Sequence, residues 1–261
     1  MILIGEKLNS SIPKTMEAME AGDEEQLVAL IDSQEENGAA FLDINTALCT
    51  RGELPAMREI CALALEHSSC GLMLDSVNPD VILSVLPLLK GRRVMMNSVT
   101  LTSRFEELIP AAVETGAGVV ALPIGESMPS SLAERMENIG ALVENAAKRG
   151  LPASQLLIDV LVEALSIDVG NAMLALETIR ETKRLYPEVG TVCGLSNISF
   201  GLPGRAKLNA AFLAMAMAAG LDAAIIDVNA PSVQDMLATA TALCGQDEYC
   251  MEYIGFRRNQ S

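Results

Sequence analysis

No tryptophan occurs in this chain, and three tyrosines and five phenylalanines are its only aromatic residues. The hydrophobic half of the sequence must therefore fill the core as Ala, Leu, Val, Ile and Met, which suits helices packed on short buried strands. The 14 methionines read as core filling. Basic charge is scarce too. Eighteen Lys and Arg stand against 34 Asp and Glu, for a net charge of -16. Such a chain repels nucleic acid and anionic membranes, and neither is expected as a partner. The single histidine, His67, leaves little room for imidazole chemistry and reads as an ordinary surface or helix-end residue. Cys49, Cys61, Cys70, Cys193, Cys244 and Cys250 are scattered without a C-x-x-C pair, so they read as reduced, buried thiols, not zinc ligands. No secretory apolar segment stands at the N-terminus, and the most apolar helix, near 208–219, is too short to span a bilayer. A soluble, cytoplasmic protein is expected.

What the chain does have is alternation. Short apolar runs appear at Ile2–Ile4, Phe41–Ile44, Leu72–Leu74, Val94–Met96, Val119–Leu122, Leu156–Ile158, Val192–Leu195 and Ala223–Ile226. Between them the spacing predicts helices over 14–37, 55–68, 79–89, 104–116, 130–149, 170–186, 207–219 and 231–244. Pro55, Pro79 and Pro231 sit where first-turn prolines are tolerated, and Gly38, Gly91, Gly116, Gly150 and Gly220 where C-terminal glycines belong. Eight strand–helix units in 261 residues predict a single-domain (β/α)8 barrel spanning 1–261. A doubly wound sheet would leave units over. No Pro/Ser-rich linker interrupts the pattern. The polar tail after Ala242 is expected over an end of the barrel or at a subunit contact.

In such barrels chemistry sits where strands end. The residues there are Glu6 and Asn9, then Asp43 and Asn45 of "FLDIN", Asp75 of "LMLDS", and Asn97 and Ser98 of "VMMNS". Asp159 of "LLIDV", Ser196 and Asn197 of "TVCGLSNISFG", and Asp227 of "IIDV" complete the set. Any one of them can be read as a helix cap. Seven strand ends of eight are harder to read that way, because buried acids without basic partners are unfavourable unless a ligand uses them. No Gly-rich phosphate loop follows strands seven and eight; "GLPGR" is a weak candidate. Mg²⁺ on Asp43, Asp75 and Asp227, with a lyase or aldolase chemistry, is one reading of the acids. A flat heterocycle with adjacent N–H donors, such as a pterin, suits an acceptor-rich rim better. Composition alone does not choose between them.

The stretches "LIGEKLN" (3–9), "LDIN" (42–45), "LDS" (74–76), "MNS" (96–98), "ID" (158–159), "GLSNIS" (194–199) and "LNAAFLAMAMAAGLDAAIID" (208–227) run nearly the length of the chain. Together they resemble the methyltetrahydrofolate:corrinoid-protein methyltransferases of anaerobic bacteria. That resemblance implies a homodimeric (β/α)8 barrel. It also implies a methyl group moving between N5 of tetrahydrofolate, as 5-methyltetrahydrofolate, and a corrinoid carried by a separate protein, with no metal held by the barrel itself. It places Asp75, Asn97 and Asp159 on the pterin and Asn197 beside N5, with Asp43, Ser196 and Arg205 as further substrate contacts. Glu6, Asn9, Asn45, Ser98, Ser199 and Asp227 become supporting residues. Arg205 and Lys207 are the candidate basic patch for an anionic folate tail. A rotatable amide at Asn197 can donate to N5 or accept from it, as the direction of transfer requires.

The same barrel occurs in cobalamin-dependent methionine synthase and in dihydropteroate synthase. This chain lacks the latter's phosphate-binding Lys and Arg motifs, and no zinc-thiolate domain for homocysteine is read in it. Two features depart from the family pattern: Phe200, where some relatives carry glutamine, and the loop "VLVEALSIDVGN" after Asp159. Both bear on the partner protein and the direction of transfer. A non-catalytic folate-binding module is the remaining alternative.

Overall fold

The computed structural model describes residues 1–259. Eight parallel strands close into a barrel in chain order: β1 (Ile2–Asn9), β2 (Phe41–Asn45), β3 (Gly71–Asp75), β4 (Val94–Val99), β5 (Gly118–Ala121), β6 (Leu156–Asp159), β7 (Gly190–Gly194) and β8 (Ala223–Ile226). Ten α-helices surround it: α1 (Pro13–Ala21), α2 (Glu24–Glu36), α3 (Glu53–His67), α4 (Pro79–Val85), α5 (Phe105–Thr115), α6 (Leu132–Lys148), α7 (Asn171–Leu185), α8 (Arg205–Ala219), α9 (Pro231–Leu243) and α10 (Met251–Arg258). The predicted (β/α)8 barrel is thus the fold.

Strand parity divides the core in two. Ile4, Phe41, Met73, Met95, Val120, Leu157, Val192 and Ala223 point inward and plug the base of the barrel. Their neighbours, such as Leu42, Leu72, Leu74, Met96 and Ile158, pack outward against the helices. Both strand faces are buried, which is why the strands read as unbroken apolar runs. Parity also carries the inward row on to Asp75, Asn97 and Asp159, each two residues past a core side chain.

Local chemistry moves some boundaries. The expected helix over 14–37 is two helices, α1 and α2. Gly22 adopts a left-handed φ of 65° that closes α1, and the Asp23 carboxylate caps α2 by accepting from Gln26 N. The helix expected over 79–89 becomes 3₁₀ from Leu86, because Pro87 has no N–H to continue it. The tail folds into α10 along the flank of α9, where Arg257 pairs with Asp235. Four of the six cysteines are buried thiols as expected, but Cys244 is half-buried and Cys250 exposed. Among the described residues no helix is long and apolar enough to cross a membrane.

Two strands carry bulges at the C-terminal mouth. Between the pairs Gly5–Leu42 and Leu8–Ile44, Glu6 and Lys7 of β1 face the single residue Asp43. Ser98 is the extra residue of β4, between Asn97–Val120 and Val99–Ala121.

Candidate active site at the barrel mouth

Register aligns Asn45, Asp75 and Asn97 across β2, β3 and β4. The Asn45 carbonyl accepts from Ala47 N (3.2 Å) and the Ser10 hydroxyl (3.3 Å), so its Nδ2 turns to donate to Asp75 Oδ2 at 2.7 Å. Asp75 keeps Oδ1 for something else. Asn97, half-buried beside it, makes no side-chain hydrogen bond among the described residues. Ser98 acts through Arg104. That guanidinium donates to the Ser98 carbonyl (2.6 Å) and to Val77 O (3.3 Å), tying the loops after β3 and β4 together.

Asp159 ends β6 across the mouth. Its Oδ1 accepts from Leu161 N at 2.8 Å. Fully buried Arg135 of α6 braces the loop behind it, donating to Val160 O (2.8 Å) and to Glu163 (3.1 Å). Asp43 lies deepest, 3% exposed, and its Oδ1 has no partner. An orphaned carboxylate oxygen inside a folded protein marks a place where a ligand or solvent donor belongs.

Burial dominates the electrostatics. It pushes the Asp159 carboxyl up to about 6, against the lowering effects of Leu161 N–H and Arg135. It also raises Asp75, Glu6 and, well above the usual range, Asp43, which Asp75 and Glu6 push further in the same direction. A carboxyl whose folded pKa is raised holds its proton longer than in the unfolded chain. Stability is then greatest below the unfolded pKa and declines as pH climbs through the folded one, for Asp159 between 3.8 and about 6. The ligand-free protein should therefore melt higher at pH 5 than at pH 7.5. Asp43→Asn should raise the melting temperature at pH 7.5 by about 2–4 °C, because it removes a carboxyl that burial, Asp75 and Glu6 all disfavour in its charged form. Calorimetry at the two pH values checks both, and a lower melting point for the variant at pH 7.5 would contradict them.

The strand-seven motif folds differently from its sequence reading. β7 stops at Gly194, and Leu195–Ser199 form a 3₁₀ turn instead of extending the strand to Leu195. Leu195, Ile198 and Ser199 pack down, leaving Asn197 exposed. The turn folds the Asn197 amide back over the strand end, where its Nδ2 would lie 3.1 Å from a Cβ on residue 194, a tight contact that glycine relieves. The Ser196 hydroxyl donates to both oxygens of Glu6, at 3.1 Å each. Arg205, at the start of α8, donates to the Ser199 hydroxyl (3.0 Å) and the Ser196 carbonyl (3.0 Å). That guanidinium therefore holds the turn with two of its N–H groups.

Two other expectations change. Asn9 accepts from Ser11 N (2.9 Å) in a local turn toward α1, so its Oδ1 is engaged by the loop. Asp227 accepts from Asn229 N (3.1 Å) and is paired with Lys7 Nζ at 2.6 Å. Among the described residues no three His, Cys, Asp or Glu side chains are grouped to hold a metal, and one of the three acids proposed for Mg²⁺ is already an ion-pair partner. Lys7, Arg104 and Arg135 escaped the sequence reading. Period-two alternation after Ile4 and Glu6 points Lys7 away from the barrel axis; the bulge, which no residue pattern announced, turns it in.

At the rim the two departures from the family pattern meet. Ser166 donates to Phe200 O (2.8 Å) and Leu165 N to Ile198 O (3.1 Å), joining the loop after β6 to the strand-seven turn. Ile167, Val169 and Phe200 stand 79%, 88% and 66% exposed on this joined rim.

The pterin binding enzyme family matches residues 5–227 of this chain. A methylcorrinoid:tetrahydrofolate methyltransferase of Eubacterium limosum is 30% identical over 257 residues, covering 97% of this chain and 94% of that protein. The methionine synthase of Mycobacterium tuberculosis is 33% identical over 241 residues, 87% of this chain but 20% of its own length. This chain thus spans about a fifth of that relative. Among solved structures, a dihydropteroate synthase from Coxiella burnetii in complex with pteroic acid superimposes with a TM-score of 0.72 at 14% identity, covering 94% of both chains. One from Xanthomonas albilineans in complex with 7,8-dihydropteroate gives 0.70 at 19%, covering 93% of this chain and 92% of that one. At those identities the likeness is one of fold.

Proposed function

Because the chain belongs to the pterin-binding enzymes, we propose that residues 1–261 form a methyltransferase domain that moves a methyl group between N5 of tetrahydrofolate and a corrinoid held by a separate protein. One observation carries the reading. Asp75, Asn97 and Asp159 converge on the mouth with hydrogen-bonding capacity unused among the described residues, while the Asn197 amide, also unpaired among them, hangs over the same opening. The acids offer acceptors to the adjacent amino and ring N–H groups of a pterin, and Asn97 offers both a donor and an acceptor. Held there, the ring is oriented and shielded from water on its inner side, which lowers the barrier to an in-line displacement. Asn197 supplies a hydrogen bond to N5: donated when folate is the leaving group, accepted from or withdrawn when N5 is the nucleophile. Glu6 and Asp43, whose burial favours the protonated carboxyl, keep protons near that centre. When bound, the partner's corrinoid supplies the cobalt that gives or takes the methyl group.

The test follows the absorption of the corrinoid as its methylation state changes, with the purified protein and both folate forms. Methyl exchange supports the reading. Tight folate binding without exchange points instead to a folate-carrying module, and activity abolished by a chelator points to a metal-assisted lyase. We place the partner on the apolar rim, since Ile167, Val169 and Phe200 border the opening through which N5 is reached. Val169→Asp should raise the partner concentration for half-maximal rate by about tenfold, the effect of one charge in a desolvated contact, with folate binding unchanged. An unaltered partner dependence would remove the rim from the docking surface.

A further inference from the structure

The bulge in β1 brings two charged side chains to the mouth in succession, Glu6 on Ser196 and Lys7 on Asp227. In regular extended backbone consecutive side chains point to opposite faces, so something must hold the irregularity. Two helices hold it: the buried Thr15 hydroxyl of α1 donates to Lys7 O at 3.0 Å, and α2 engages the Lys7 N–H. Gln34 of α2 is completely buried, and its Oε1 accepts the Lys7 backbone N–H at 2.9 Å. Its Nε2 donates to Leu30 O at 3.1 Å, one turn back along α2, which fixes which end of the amide faces the strand. Room for the amide exists only because residue 5 is glycine. A Cβ there would lie 2.3 Å from Gln34 Oε1 and 2.8 Å from its carboxamide carbon.

From this we infer that Gln34 is a positioning residue for the methyl-transfer site: wedged against Gly5, it stabilises the β1 bulge and thereby aims Glu6 and Lys7 into the mouth. The inference rests on the reading above for what those side chains serve. Gln34 touches no atom of the opening itself. Its loss frees the Lys7 N–H, leaves the bulge to the Thr15 bond alone, and loosens the aim of Lys7 at Asp227. The pterin contacts on β3, β4 and β6 lie on other strands and stay in place.

The experiment compares wild type with Gln34→Met, which keeps side-chain volume and removes the acceptor. Two measurements are made: steady-state methyl transfer, and amide hydrogen exchange at Lys7. In the variant the Lys7 amide should exchange at least about tenfold faster. At the same time kcat should fall by about one to two powers of ten, as for a small misplacement of catalytic groups, while KM for the folate stays near its wild-type value. Gly5→Ala, which drives the amide out by a different route, should give the same split. Unchanged Lys7 exchange in Gln34→Met overturns the inference. So does faster exchange with unchanged kcat, or a loss of kcat no greater than the loss of folded protein seen by circular dichroism. If wild type transfers no methyl group, the proposed activity fails, and the exchange rate still decides whether Gln34 holds the bulge.

Discussion

Replacing Asn197 with alanine lowers the rate of methyl transfer by about two to three powers of ten, the usual loss for one preorganised hydrogen-bond partner at a reacting centre. Like Asn97, the amide is a neutral side chain at the mouth with neither donor nor acceptor engaged among the described residues, and it alone of the two stands exposed over the opening. Its surroundings make it a directed group despite its exposure. Ser196 is held by Glu6, Ser199 and the Ser196 carbonyl by Arg205, and the turn backbone by buried Leu195 and Ile198. Alanine leaves that scaffold alone, so folate affinity should fall by much less than the rate. Asn197→Asp is a sharper variant: a fixed carboxylate can accept from a protonated N5 but cannot donate to it. Rapid mixing of enzyme, folate and corrinoid protein, with binding measured separately by calorimetry, separates the two effects. Turnover unchanged in Asn197→Ala would remove the residue from the chemistry.

Asp159→Asn, on the other side of the site, should mainly weaken folate binding, by about 30- to 100-fold, because a hydrogen bond to a charged acceptor would be lost. The aspartate has one oxygen on Leu161 N–H and offers the rest of its lone pairs to the mouth. An asparagine that keeps that bond presents its NH₂ to the pterin's own donors. The wild-type affinity should carry a pH signature as well. With its carboxyl pushed up to about 6 by burial, the free protein loses its charged acceptor as the pH falls through that value. Folate affinity should then drop up to tenfold for each further pH unit, and Asp159→Asn should lack that part of the dependence. Titration calorimetry at pH 5 and 7.5 tests both. Equal affinities for the two proteins at pH 7.5 would exclude Asp159 from the contact.

Asp75 and Asp159 were visible at the ends of "LMLD" and "LLID" because parallel strands buried on both faces leave their first polar residue at the rim. Asn197 was legible for the same reason, although the backbone beneath it was not. Gly194 ends β7 early, and a 3₁₀ turn carries the amide back, a geometry that depends on what Leu195 and Ile198 pack against. At Asn9 a local Asx turn to Ser11 N engages the side-chain oxygen, a bond that residue type alone does not announce. Arg205 lies at the mouth while its guanidinium braces the turn.

Periodicity and punctuation alone determined the closed eight-stranded barrel and the acceptor-rich character of its C-terminal mouth. Those properties follow from nearest-neighbour sterics and the burial of apolar faces, which repeat along a chain and so are written in it. The tertiary structure decided which polar groups are left unpaired. Whether Asp43 keeps a free oxygen, whether Lys7 reaches Asp227, and whether Gln34 lies against Gly5 each depend on atoms brought together from distant elements. Hydrogen bonding is short-ranged and directional, so it is settled by the packing of those elements and not by the order of their residues.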